Sequence, residues 1–129
     1  MTDRTLRVLL ADVSGAGQRA IAVLLRSLPG IALVAEAGTL EELARERRRT
    51  GPDVIVIDDR LLGGSGLGPR DADVPVIVVG LDDDPSFARR AERLGATAWV
   101  AKEHAGELLP DALETARLRR SAPAQRPTA

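Results

Sequence analysis

Five short apolar runs, each closed by polar or glycine-proline punctuation and separated by stretches with helical spacing, constrain this chain more than any other feature. They are Leu6-Arg7-Val8-Leu9-Leu10-Ala11, Ile31 to Ala35, Val54-Ile55-Val56-Ile57, Val74-Pro75-Val76-Ile77-Val78-Val79 and Ala98-Trp99-Val100-Ala101. Runs of this length with little polar alternation suit strands covered on both faces, as in a parallel sheet. The segments between them carry their own signals. Ile21, Leu24, Leu25 and Leu28 recur at helical spacing from Gln18 to Leu28, and Pro29-Gly30 stops that helix. Thr39 with Glu42 forms a capping-box pattern ahead of Leu40, Leu43 and Ala44, and the helix runs out through Arg45 to Arg49 before Gly51-Pro52. Ser86 is placed to cap a helix through Phe87, Ala88, Ala91 and Leu94, and Gly106 to about Arg119 forms a last amphipathic helix. Strands alternating with helices give an α/β fold, a doubly wound five-stranded parallel sheet with helices on both faces.

The third crossover departs from this rhythm. Gly63, Gly64, Gly66, Gly68 and Pro69 lie between Asp58 and the fourth run. Each interior glycine costs a helix roughly 1 kcal/mol and a proline about 3 kcal/mol. The expectation is a loop with at most one helical turn, so the third helix is shortened or lost.

Composition bounds the function. A chain of 129 residues suits one domain. Eighteen basic and 19 acidic residues leave a formal net charge of −1, and aromatics are 2%. That excludes a whole-domain electrostatic footprint for nucleic acid or membrane and leaves almost no base-stacking surface. There is no cysteine, hence no disulfide, thiolate chemistry or thiolate-held metal. No apolar stretch approaches the roughly 20 residues that span a bilayer, and the amino terminus has no signal-peptide pattern, so a cytoplasmic location is expected.

In a sheet of this class, ligands bind outside the carboxyl ends of the strands. The residues there are Asp12, Glu36, Asp58 with Asp59, Gly80 and Lys102. Two carboxylates and an ammonium group at adjoining strand ends can form one charged pocket. Oxygen ligands suit a hard cation such as Mg²⁺, and a carboxylate can act as a nucleophile toward phosphorus.

These residues sit in segments that resemble the receiver domains of two-component response regulators. Arg7 to Asp12 is similar to their first strand and its acidic residue, and Pro52 to Asp58 to the strand leading to the phosphoacceptor. Gly95-Ala96-Thr97-Ala98-Trp99-Val100-Ala101-Lys102 is similar to their Gly-Ala-x-x-aromatic-x-x-Lys signature. The resemblance spans about residues 6 to 118. It implies the flavodoxin-like strand order 2-1-3-4-5, with a receiver over 1–120 and a tail or the start of a linker over 121–129. It implies that Asp58 accepts a phosphoryl group and that Lys102 pairs with the phosphoryl oxygens. Mg²⁺, weakly bound, would be held by Asp12, Asp58 and the backbone carbonyl of Arg60, with Gly80 and Trp99 at the switch positions. The implied partners are a histidine kinase or phosphotransfer protein, an output domain or partner protein, and a second copy through the fourth and fifth helices; no membrane or direct nucleic-acid contact is implied. Such a module is a phospho-switch and not a turnover enzyme; it catalyses only its own phosphorylation.

Three departures accompany the resemblance. Val13 stands where the family usually has a second acidic residue, and Gly80 where it has Thr or Ser. The segment after the acceptor is reduced to Leu61-Leu62-Gly63. The alternative they support is a pseudo-receiver, an interaction module that works without phosphate. Simpler roles suit the other conspicuous residues. Asp59 is a solvated neighbour, Asp82-Asp83-Asp84 a solvated loop and His104 an exposed loop residue. Arg47-Arg48-Arg49 is a charged helix end, and Arg89, Arg90 and Arg93 lie on the helix that receivers often use for partner contacts, although a solvated face is equally economical. Gly63-Gly64-Ser65-Gly66 lacks the Lys-Ser/Thr ending of a phosphate-binding loop. Gly15-Ala16-Gly17-Gln18-Arg19-Ala20, with Glu36 beyond it, fits a dinucleotide fingerprint, but Asp12-Val13-Ser14 separates it from the strand.

Overall fold

A computed structural model describes residues 5–13, 15–62, 74–80 and 85–120. The elements follow in the order β1 (Leu6–Ala11), α1 (Gly15–Ser27), β2 (Ile31–Ala37), α2 (Leu40–Thr50), β3 (Val54–Asp58), α3 (Asp59–Leu62), β4 (Val76–Gly80), α4 (Pro85–Leu94), β5 (Ala98–Ala101) and α5 (Ala105–Arg120), with a 3₁₀ turn at Lys102–His104. The strands form one sheet in the order β2-β1-β3-β4-β5, and every pairing is parallel.

Alternation along the strands divides the apolar side chains into two layers. Val8, Leu10, Val54, Val56, Ile77 and Val79 pack with Ile21 and Leu25 of α1 and with Leu109 and Leu113 of α5. Leu9, Ile55, Ile57, Val76 and Val78 pack on the other face with Leu43 of α2, Leu62 of α3 and Ala91 of α4. Every residue of β3 is buried. This is why the central strands read as unbroken apolar runs.

The helix signals hold with local shifts. Thr39 caps α2, its Oγ1 accepting from Glu42 N at 3.0 Å, while Glu42 Oε1 accepts from Gly38 N at 2.7 Å. Gly51 ends the helix at φ 56°, a left-handed conformation that favours glycine, and donates its N–H to the Arg47 carbonyl. β2 runs two residues further than expected, to Ala37, β4 starts at Val76 and not Val74, and two helix starts move by two residues or more. α4 begins at Pro85, so Ser86 lies inside the first turn and is not the cap; proline at the first helical position has no amide to leave unsatisfied. α1 begins at Gly15, which places the glycines of the apparent dinucleotide fingerprint inside a helical turn. The tight strand-to-helix turn that such a fingerprint needs is therefore not made here.

α3 is described over the one turn Asp59–Leu62. The expected loop with at most one helical turn falls mostly on 63–73; it, the Asp82-Asp83-Asp84 segment and the expected tail over 121–129 lie outside the described residues. Pro110 lies within α5, where it removes the hydrogen bond to the Gly106 carbonyl. No helix among the described residues is long and apolar enough to cross a membrane.

Candidate functional site

Parallel register brings the carboxyl ends of the central strands together. Ala11 pairs with Ile57, Asp58 with Val79 and Gly80 with Ala101. The next residue out from β1 is Asp12 and the next from β5 is Lys102, so both meet Asp58 at one edge of the sheet. Asp12 is 2% exposed and Asp58 3%. Carboxylates that deep need partners. Lys102 Nζ lies 3.0 Å from Asp58 Oδ2 and 3.5 Å from Asp12 Oδ2, with its side chain 14% exposed.

A second cation comes from within the acceptor segment. Arg60 Nη2 donates to Asp58 Oδ2 at 3.0 Å and lies 3.9 Å from Asp12 Oδ1, with its side chain 46% exposed. The Arg60 backbone N–H also donates to Asp58 Oδ1 at 2.8 Å, tying the carboxylate to the first turn of α3. Asp58 is thus both a strand-end cap, the simpler role for such a residue, and the centre of the charged cluster.

Burial pushes the Asp58 carboxyl up, but hydrogen bonds involving Asp12, the Arg60 side chain and amide, and Lys102 outweigh it and hold it at about 2. Asp58 in turn raises the Arg60 guanidinium above its usual value. An ionised, buried carboxylate faces two cationic donors, Lys102 largely buried and Arg60 half-exposed. Such a carboxylate can act as a nucleophile, with cations already beside it to neutralise charge.

The sequence-derived set divides in two. Asp12, Asp58 and Lys102 converge, and Arg60 joins them by its side chain as well as its backbone. Gly80 adjoins the pocket, one register place beyond Asp58, but offers no side chain to it. Trp99 lies within β5 opposite Val78 and is 39% exposed. Glu36 lies in edge strand β2, paired with Arg26 at 3.1 Å, and is not part of the cluster. Asp59 opens α3 half-buried, and His104 is exposed beside Glu107.

Reading the sequence missed the Arg60 guanidinium, although a basic residue two positions after a strand-end carboxylate was the available signal. It also missed Asp53, which is buried and accepts from Arg7 N at 2.9 Å, fastening β1 to the start of β3. Among the described residues, no group of three or more His, Cys, Asp or Glu side chains forms a metal cage.

No protein-family model matches the sequence. A two-component response regulator of the LuxR family from Aurantimonas sp. SI85-9A1 superposes with a TM-score of 0.79 at 30% identity, over 90% of this chain and 87% of that one. The protein-glutamate methylesterase/protein-glutamine glutaminase 6 of Anaeromyxobacter dehalogenans (strain 2CP-C) is 36% identical over 115 residues, 83% of this chain and 32% of that protein. Response regulator GacA of Pseudomonas viridiflava is 26% identical over 103 residues, 75% of this chain and 48% of that protein. The chain therefore spans about half or less of the curated relatives it matches.

Proposed function

The chain belongs to the receiver domains of two-component response regulators, and from that premise we propose that it accepts a phosphoryl group on Asp58 from a histidine kinase or phosphotransfer protein. The observation that carries this reading is the ionised, buried Asp58 carboxylate facing Lys102 at 3.0 Å. In the transfer, an Asp58 oxygen forms a bond to phosphorus as the bond from phosphorus to the donor breaks. The donor leaves with the electron pair, as acetate from acetyl phosphate or as an imidazole from phosphohistidine. Lys102 and Arg60 stand where negative charge collects on the oxygens.

Asp12, Asp58 and the Arg60 carbonyl are the oxygen donors that would hold Mg²⁺. They fit a hard cation in kind, but Lys102 and Arg60 already cancel the charge of the two carboxylates, so the affinity is weak. When bound, the metal would help neutralise the transferring group. The receiver boundary at residue 120, an output domain or partner protein that reads the state of Asp58, and a second copy docked through α4 and α5 belong to the same proposal.

Gly80 favours a second reading. Without a hydroxyl at the end of β4, nothing there draws the following loop toward a phosphoryl group or passes the change to Trp99. A pseudo-receiver that binds its partner without phosphate would need no such link. Intact mass after incubation with acetyl phosphate, run beside Asp58→Asn, separates the two. Addition of one phosphoryl group to the parent protein alone supports the acceptor role; no addition to either supports the pseudo-receiver.

A further inference from the structure

Arg60 and Lys102 reach the acidic pair in different ways. Lys102 follows β5 and is 14% exposed, whereas the Arg60 side chain, 46% exposed, closes the pocket toward solvent. The Arg60 guanidinium spans both carboxylates, at 3.0 Å from Asp58 and 3.9 Å from Asp12. With both carboxyl groups ionised, two negative and two positive formal charges cancel. A divalent ion held by Asp12, Asp58 and the Arg60 carbonyl would have to share both carboxylates with that guanidinium and would leave the cluster with an excess of positive charge. Val13, which is exposed and apolar, supplies no third carboxylate to offset it.

We propose that the Arg60 side chain is a built-in competitor of Mg²⁺ at this site and neutralises the acceptor pocket itself, so that phosphoryl transfer to Asp58 does not require the metal. The inference rests on Asp58 being the acceptor. A planar guanidinium is suited to the work, because its fork can bond a carboxylate at rest and phosphoryl oxygens after transfer. Its flexible, half-exposed stem lets it move with the charge, from Asp58 Oδ2 outward onto the group that Asp58 acquires. Even at the dielectric of bulk water, a unit charge about 4 Å from a divalent ion changes its affinity roughly 30-fold.

The test uses the whole chain, unphosphorylated, with Mn²⁺ as the probe and free Mn²⁺ followed by electron paramagnetic resonance. Arg60→Gln is expected to bind Mn²⁺ at least about tenfold tighter than the parent. Labelling by acetyl phosphate is the second arm. The parent is expected to label in EDTA within about threefold of its rate in Mg²⁺, and Arg60→Gln only when Mg²⁺ is present. Equal Mn²⁺ affinities, or loss of parent labelling in EDTA with recovery in Mg²⁺, would overturn the proposal. If neither protein labels under any condition, the acceptor reading fails, while the Mn²⁺ comparison still decides whether Arg60 competes for the site.

Discussion

Replacing Lys102 with methionine removes one of two cations from the acidic pair and nearly preserves side-chain volume. The ammonium lies 3.0 Å from one carboxylate oxygen and 3.5 Å from another. At an effective dielectric of about 20, each contact is worth about 5 kcal/mol of gross Coulomb energy. The cost of taking the ammonium out of water, several kcal/mol, offsets much of that, and Arg60 still faces both carboxylates after the change. The net loss then falls near the low end for a broken buried pair, about 3 kcal/mol at neutral pH, or a fall in Tm of roughly 10 °C. Urea denaturation followed by circular dichroism measures it. The deficit should be largest at neutral pH and narrow as the solution is acidified, because protonating a carboxyl relieves the uncompensated charge. A loss under about 1 kcal/mol at pH 7, or a gain in stability, would show that Lys102 does not balance the acidic pair.

Other outcomes follow from the same structure. Asp58 is held at about 2 against an ordinary 3.8, so its contribution is present in full above pH 4 and lost as pH falls through 2. Parent and Asp58→Asn stabilities, compared by urea melts from pH 7 to pH 2, should lose about 2 kcal/mol of their difference over the acid limb. Thr39→Ala removes the side-chain oxygen that caps α2 and should cost about 1 kcal/mol by the same melts. Gly51→Ala places a Cβ in open space but at φ 56°, so about 1 kcal/mol of backbone strain and no steric clash is expected. Leu109→Ala hollows the layer between the sheet and α5, where Leu109 is fully buried, and should cost about 3 to 4 kcal/mol.

The sheet was legible in the sequence because its central strands are covered on both sides. Val54 to Ile57 and Val76 to Val79 could not be partly polar without exposing a charge to one of the two layers. Capping chemistry is equally local, so Thr39, Glu42 and Gly51 announced α2. Ser86 misled because a serine before an apolar helix face reads as a cap, and Pro85 one place earlier serves as the start instead. The convergence of Asp12, Asp58 and Lys102 followed from the family resemblance and from the rule that parallel strands present their carboxyl ends together. The Arg60 guanidinium did not follow. An arginine has several rotatable bonds, and whether it extends into water or folds back over a carboxylate depends on the depth of that carboxylate, which is a tertiary property. Asp53 was hidden for a similar reason, since its partner, the Arg7 amide, is 46 residues away.

Under the proposed function an oxygen of Asp58, and not of Asp12 or Asp59, bonds to phosphorus. Treating the protein with acetyl phosphate, reducing the product with borohydride and mapping the peptides by mass tests it most directly, because reduction converts an aspartyl phosphate to homoserine. Homoserine at position 58 alone is the predicted result. Homoserine at position 12 or 59, or an unaltered residue 58 in a protein that has gained a phosphoryl group, would contradict the account.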